Sequence, residues 1–193
     1  GSIVISEQVE SNLREIYQNE LFTSALTINE QTRSISIINC QFTQISHKNV
    51  ICIDKLDTTI YITGSTFISC ITSEEIIKLI RTRCLTMTHV CAFESGVTQN
   101  YADGIMLSYD IVDDDFSLCL YNTFANTFCD KSGHASILSI ANGNQYYRCN
   151  NFTNTTLRGI HINSPVCFSF ALSTIMKCDN TCLMMSGYNN DQC

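Results

Sequence analysis

The chain has 193 residues, with 11 Lys plus Arg against 18 Asp plus Glu and a net charge of −7. That balance argues against nucleic acid or an anionic membrane surface as the main partner, and the length suffices to bury a core. Only 15% of the residues are charged, eight are glycine and one is proline, so the surface relies on neutral hydrogen-bonding groups of the kind common in extracellular β proteins.

The opening Gly1-Ser2 pair reads as a cloning remnant. Neither a signal peptide nor a run of about 18 apolar residues is present. The chain therefore reads as soluble, without membrane insertion, and fits an excised stretch of something longer. Residues 6–21 read as a helix. Ser6 is placed to cap it, Glu7 and Glu10 lie in its first turn, and Val9, Leu13, Ile16 and Tyr17 share one face. Its expected role is a lid over unpaired strands.

From residue 24 to about 180 the chain keeps restating one outline: a short strand, a bend, then an aromatic or aliphatic anchor. The copies are Ser34–Phe42, Thr59–Cys70, Leu85–Phe93, Phe116–Phe124, Gln145–Phe152 and Cys167–Ile175. Their anchors are Phe42, Phe67, Phe93, Phe124, Phe152 and Ile175, at spacings of 25, 26, 31, 28 and 23 residues. Such a period fits one turn of a coil. Two positions before each anchor stand Cys40, Ser65, Cys91, Asn122, Asn150 and Ser173, all small. Three before the first two stand Asn39 and Gly64, residues that readily take a left-handed bend. A second strand precedes each copy, marked by Leu26/Ile28, Ile51/Ile53 and Ile77/Leu79. It recurs with slippage at Ile105/Leu107, Ile137–Ile140 and Ile160/Ile162. The competing reading, an antiparallel sandwich, would need more hairpin turns than Asn142-Gly143 supplies. The expectation is an all-β parallel coil of about six turns forming one domain. Residues 181–193 are expected to be a tail that has lost the pattern.

The pattern resembles right-handed parallel β-helix proteins, the architecture of pectate lyases and autotransporter passengers. More narrowly, the ends NCQF, GSTF, YNTF and CNNF are similar to the F-x-x-N repeats of polymorphic-membrane-protein-like surface proteins of bacteria and parasitic protists. The resemblance covers about residues 24–185. It implies a cell-surface or secreted module, an adhesin by role.

The longest spacing falls around Tyr109–Asp115, and an insertion in a repeat maps to a loop that often carries function. Tyr109, Asp110, Asp113, Asp114 and Asp115 are the expected contact residues, joined by Tyr61, Tyr121, Tyr146 and Tyr147 as exposed aromatics. A solvated acidic loop, at most holding calcium weakly, is the plain alternative. No other cofactor is expected. The partner is expected to be a surface glycan or protein, and open coil ends leave end-to-end association open.

An enzyme of the polysaccharide lyase or glycoside hydrolase class is the alternative function. It would use Asp113 and Asp115, which share a face on a strand, and Arg148. Arg81, Arg83 and Arg158 are further basic candidates, while His89, His134 and His161 are scattered. Twelve cysteines, an even number, lack the spacing of zinc or haem sites. Cys40 and Cys91 fall in one ladder two turns apart, too far to bridge. Cys178 with Cys182, or Cys193 with a terminal-turn cysteine, are candidate staples. With the glycosylation sequons at Asn151 and Asn154, the cysteines point to an oxidising, extracellular setting.

Overall fold

A computed structural model describes residues 14–28, 31–55, 57–98, 104–112, 115–129, 135–155, 158–178 and 183–186. These residues form a stack of parallel strands. Sheet A is seven-stranded: Arg14–Gln18, Ser34–Ile38, Thr59–Thr63, Cys84–Thr88, Phe116–Leu120, Asn144–Arg148 and Cys167–Ala171. Sheet B, also seven-stranded, follows it two residues later in each winding, from Leu21–Phe22 to Thr174–Cys178. Sheet C closes the winding with six strands, from Ile51–Asp54 to Leu183–Ser186. A short fourth sheet of three strands bridges B to C in the middle windings. Every pairing between windings is parallel.

Seven stacked windings replace the expected six, because the chain enters sheet A at residue 14 and not at 34. The expected helix over 6–21 is overturned where it can be seen. Arg14–Gln18 is a strand paired residue for residue with Ser34–Ile38, and residues 6–13 lie outside the described residues. The stretch REIYQ carries two periods at once. Its Ile16 and Tyr17 satisfy a helical face, but Glu15 and Tyr17 also alternate with Arg14, Ile16 and Gln18. A neighbouring strand offering its backbone groups favours the second period. At the other end Leu183–Ser186 pairs with Arg158–Asn163, so part of the expected tail continues sheet C.

The bend between sheets A and B has a single physical cause. Asn19, Asn39, Gly64, His89, Tyr121, Cys149 and Leu172, one in each winding, all have φ between 52° and 59°. A single left-handed residue swings the chain to a new direction without spoiling the ladder. Its own N–H still donates to the next winding, as Asn39 does to Thr63 and Tyr121 to Arg148, both at 2.9 Å. A second such column, at φ 49° to 53°, runs through Gln44, Ser69, Glu94, Asn126, Asn154 and Lys177 where the chain leaves sheet B. Left-handed backbone is unfavourable for most residues, so stacking must hold these corners.

Inside, side chains form columns. Ile51, Ile77, Leu107, Leu138 and Ile160 line up along sheet C, and Ile53, Leu79, Tyr109, Ile140 and Ile162 line up beside them. The anchors form the expected column from sheet B, extended by Phe22. Phe22 stacks on Phe42 at 4.8 Å and Phe42 on Phe67 at 4.7 Å. Phe124 stacks on Phe152 at 5.3 Å. Phe93 is not in it. Ala92 pairs with Phe67 and Phe124 and is fully buried, while Phe93 faces outward. The same one-residue shift puts Val90, not Cys91, in line with Cys40 and Ser65. A one-residue slip sends every side chain to the opposite face. Here the small Ala92 hid the true register.

Candidate functional site

The coil sorts its charges by face. Across all fourteen strands of sheets A and B the only carboxylate is Glu15. It points inward, hydrogen-bonded by the hydroxyls of Tyr17 and Thr32. The resolved ion pairs instead belong to sheet C and the turns flanking it. Lys78 bridges Glu74 and Glu75 at 3.2 Å, Lys48 meets Glu74 at 3.1 Å, and Arg81 meets Asp54 at 2.6 Å. The outer wall of A and B carries hydroxyls, amides and rings, interspersed with exposed aliphatic side chains such as Ile16, Leu21 and Met176. Tyr61 and Tyr146 occupy the same outward column of sheet A, 40% and 39% exposed. Tyr121, half exposed at the bend, stacks on His89 with ring centres 5.2 Å apart. Thr63 and Thr88 share a hydrogen bond between adjacent windings at 3.0 Å. The residue alternation of each strand produces this wall, because every second position must be apolar to fill the coil.

Two shallow clefts flank it. One, of about 340 Å³, lies on sheet A between Tyr146 and Arg148. The other, of about 750 Å³, lies where sheet C turns into sheet A and is lined by Asp110, Asn142, Gly143 and Ser164.

The expected contact residues separate in space. Tyr109 is a core residue, 2% exposed, whose hydroxyl donates to the Arg83 carbonyl at 3.0 Å. Burial pushes its phenol above the ordinary range. Tyr109 sits in the Leu79–Ile140 column, so the strand ran further into the insertion than its acidic end suggested. Tyr147 is likewise buried, donating to Gln145 at 3.0 Å. Asp110 is exposed and accepts from Asn142 at 2.7 Å. Asp113 and Asp114 lie outside the described residues, as does His134. Asp115 is tied to Arg83 at 3.3 Å. Arg148 is four residues along its strand from Asn144, which pairs beside Asp115's neighbour Phe116. It therefore stands roughly 13 Å farther along sheet A, and the structure does not bring Asp115 and Arg148 together.

Among the described residues no group of three or more His, Cys, Asp or Glu side chains could hold a metal ion. No helix among them is long and apolar enough to cross a membrane. Asn154 is exposed at the second bend, its amide donating to Asn126 at 2.6 Å. Asn151 opens a strand of sheet B and is half-buried. Cys40, Cys52, Cys70, Cys84, Cys91, Cys119 and Cys149 are free thiols. The stacking explains this, since no two of them share a column on consecutive windings. Burial pushes the Cys119 thiol up to about 12. The candidate staples through Cys182 and Cys193 lie outside the described residues.

One arrangement escaped the sequence reading. His161 contacts Ser186 through Nε2 at 3.0 Å and Ser139 through Nδ1 at 3.5 Å, in a row across three windings. A base that activates serine needs its other nitrogen oriented by a third group, usually a carboxylate. A second hydroxyl fills that place here. A scan against protein-family models and searches of curated proteins and of solved structures return no match.

Proposed function

We propose that this protein is a non-enzymatic binding module of an extracellular or cell-surface protein, with an adhesin-like role, which contacts glycan or protein through the outer wall of sheets A and B. One observation carries this reading: an acidic chain that keeps outward carboxylates off the strands of one broad face and displays tyrosines and hydroxyl rows there. Tyrosine offers apolar area and a polar tip together, and exposed ring patches on a soluble surface mark contact sites. The enzyme reading draws less support, because Asp115 is neutralised by Arg83 and stands apart from Arg148. On this reading the coil is right-handed, the hand that parallel crossovers take, and the repeats belong with the surface-protein architecture they resemble. Asn154 is the better placed of the two sequons.

A glycan array combined with a turnover assay on acidic polysaccharides, with and without calcium, tests the proposal. Binding without turnover, weakened by Tyr61→Ala or Tyr146→Ala, is the expected result. Turnover abolished by Asp113→Asn or Asp115→Asn would replace the binding module with an enzyme.

A further inference from the structure

Resting on that reading, we infer that the cleft beside Tyr146 and Arg148 is a specific site for a carboxylate-bearing sugar ring, a uronic or sialic acid unit of a glycan. Its floor is Leu118, Leu120 and Ala171, its edge carries the Ser169 hydroxyl, and its volume is about 340 Å³. That is the small end of ligand pockets, roughly 300–1,000 Å³, and suits one or two rings rather than a folded partner. Tyr146 and Arg148 project from the same side of one strand, two residues and so about 7 Å apart. The ring presents a flat apolar face and the guanidinium a fork of donors.

Charge selects the ligand. Arg148 has no carboxylate neighbour in its own sheet or in sheet B, whose strands carry none facing outward. The other arginines of this region are engaged, Arg81 with Asp54 and Arg83 with Asp115. Among the described residues, then, an anion reaching the wall meets no carboxylate paired with Arg148, and an Arg–carboxylate pair is geometrically specific. An extended peptide is disfavoured as the occupant. Peptides usually join sheets at a free edge through their main chain. Here Asn144–Arg148 is already paired on both sides, with Phe116–Leu120 and Cys167–Ala171. The ligand must therefore be read by side chains alone, which a ring with hydroxyls and one carboxylate permits.

Isothermal titration of the full chain tests the site with trigalacturonate, its fully methyl-esterified counterpart, sialyllactose, lactose and a tetraglutamate peptide. At least one acidic sugar should bind roughly tenfold or more tightly than its uncharged partner, the scale of one charge-assisted contact. Arg148→Gln should erase that preference while leaving the thermal midpoint unchanged. Tyr146→Ala should weaken both members of the pair. The proposal falls if neither acidic sugar binds, if Arg148→Gln keeps the preference, or if tetraglutamate binds as tightly as the sugars. Should neutral glycans bind the array through Tyr61 while these probes fail, the binding module stands and this site is lost. If nothing binds the array or the probes, both fall.

Discussion

The early and late windings share one fold but fill it differently. Between residues 34 and 93, sheet A sends Ile35, Ile37, Ile60, Ile62, Leu85 and Met87 into the coil, against stacked Phe42 and Phe67. From residue 116 the same columns hold Ser117, Cys119, Gln145 and Tyr147. At the bend Asn122 and Asn150 replace the smaller residues of the earlier windings. Asn122 accepts from the Val90 N–H at 2.9 Å and donates to the Met87 carbonyl at 3.1 Å and to Asn150 at 3.0 Å. Asn150 in turn donates to the Cys119 carbonyl at 2.7 Å. The inward columns of sheet C stay aliphatic but for Tyr109. The early interior is apolar apart from small hydroxyls such as Ser65, which accepts from the Cys40 N–H at 3.1 Å, whereas amide side chains enter the late one, so one backbone period tolerates two interior chemistries.

Removing the aromatic stack should break the early half hardest. Phe67→Ala deletes a fully buried ring in contact with Phe42 and is expected to cost about 3–5 kcal/mol in urea unfolding. An unchanged slope against denaturant would show that the loss is native-state packing. A cost under about 1 kcal/mol would mean that the stack does not organise those windings.

The late half should be sensitive at the bend. Asn122→Ala orphans the Val90 N–H and removes two donated bonds, at an expected cost of about 2–3 kcal/mol. Cys40→Ala changes the same column in an early winding, where the thiol makes only a weak contact to the Ile38 carbonyl at 3.4 Å, and should cost about 1 kcal/mol or less. Equal costs would abolish the distinction between the two halves.

A change of opposite sign sharpens it. Ser117 is fully buried, and its hydroxyl has no hydrogen-bond partner among the described residues. Its column neighbours are Leu85 and Gln145. Ser117→Ala should raise stability by about 1 kcal/mol, because it removes an unmade bond at little loss of volume. A drop in midpoint would show that the hydroxyl is satisfied.

These contrasts explain what the sequence could and could not disclose. The parallel coil was legible because Phe42, Phe67, Phe124 and Phe152 repeat a large residue once per winding, the first two at a fixed offset from Asn39 and Gly64, whose backbone preferences mark the corner. Phe93 misled because its neighbour Ala92 does the packing without size. Residues 14–18 misled because pairing with Ser34–Ile38 is nonlocal, while the helical face is local. Tyr109 looked like a loop residue only because acids follow it. The bare wall had a signal of its own: the strand copies themselves lack Asp and Glu. Arg148 was singled out, but as a partner for an acid, Asp115, that stands elsewhere.

The smallest expected effect lies in the charge sorting that keeps sheet C apart from the wall. Burial works against the charged forms of both Glu74 and Lys78. Lys48 and Lys78 outweigh it at Glu74 and hold that carboxyl below its ordinary range. Glu74 and Glu75 outweigh it at Lys78 and raise the ammonium. The lowered carboxyl contributes stability above its unfolded value near 4.3, lost as pH falls through the folded value. The raised ammonium contributes below about 10.4, lost as pH climbs through its folded value. The cluster should therefore act fully between about pH 5 and 10. Because Glu74 is partly exposed, Glu74→Gln should cost no more than about 1 kcal/mol there. Wild type and variant should converge at acid pH, and raised salt should shrink the gap. A gap that persists unchanged at low pH would assign Glu74's contribution to packing, and the ion pairs would then play no part in holding sheet C.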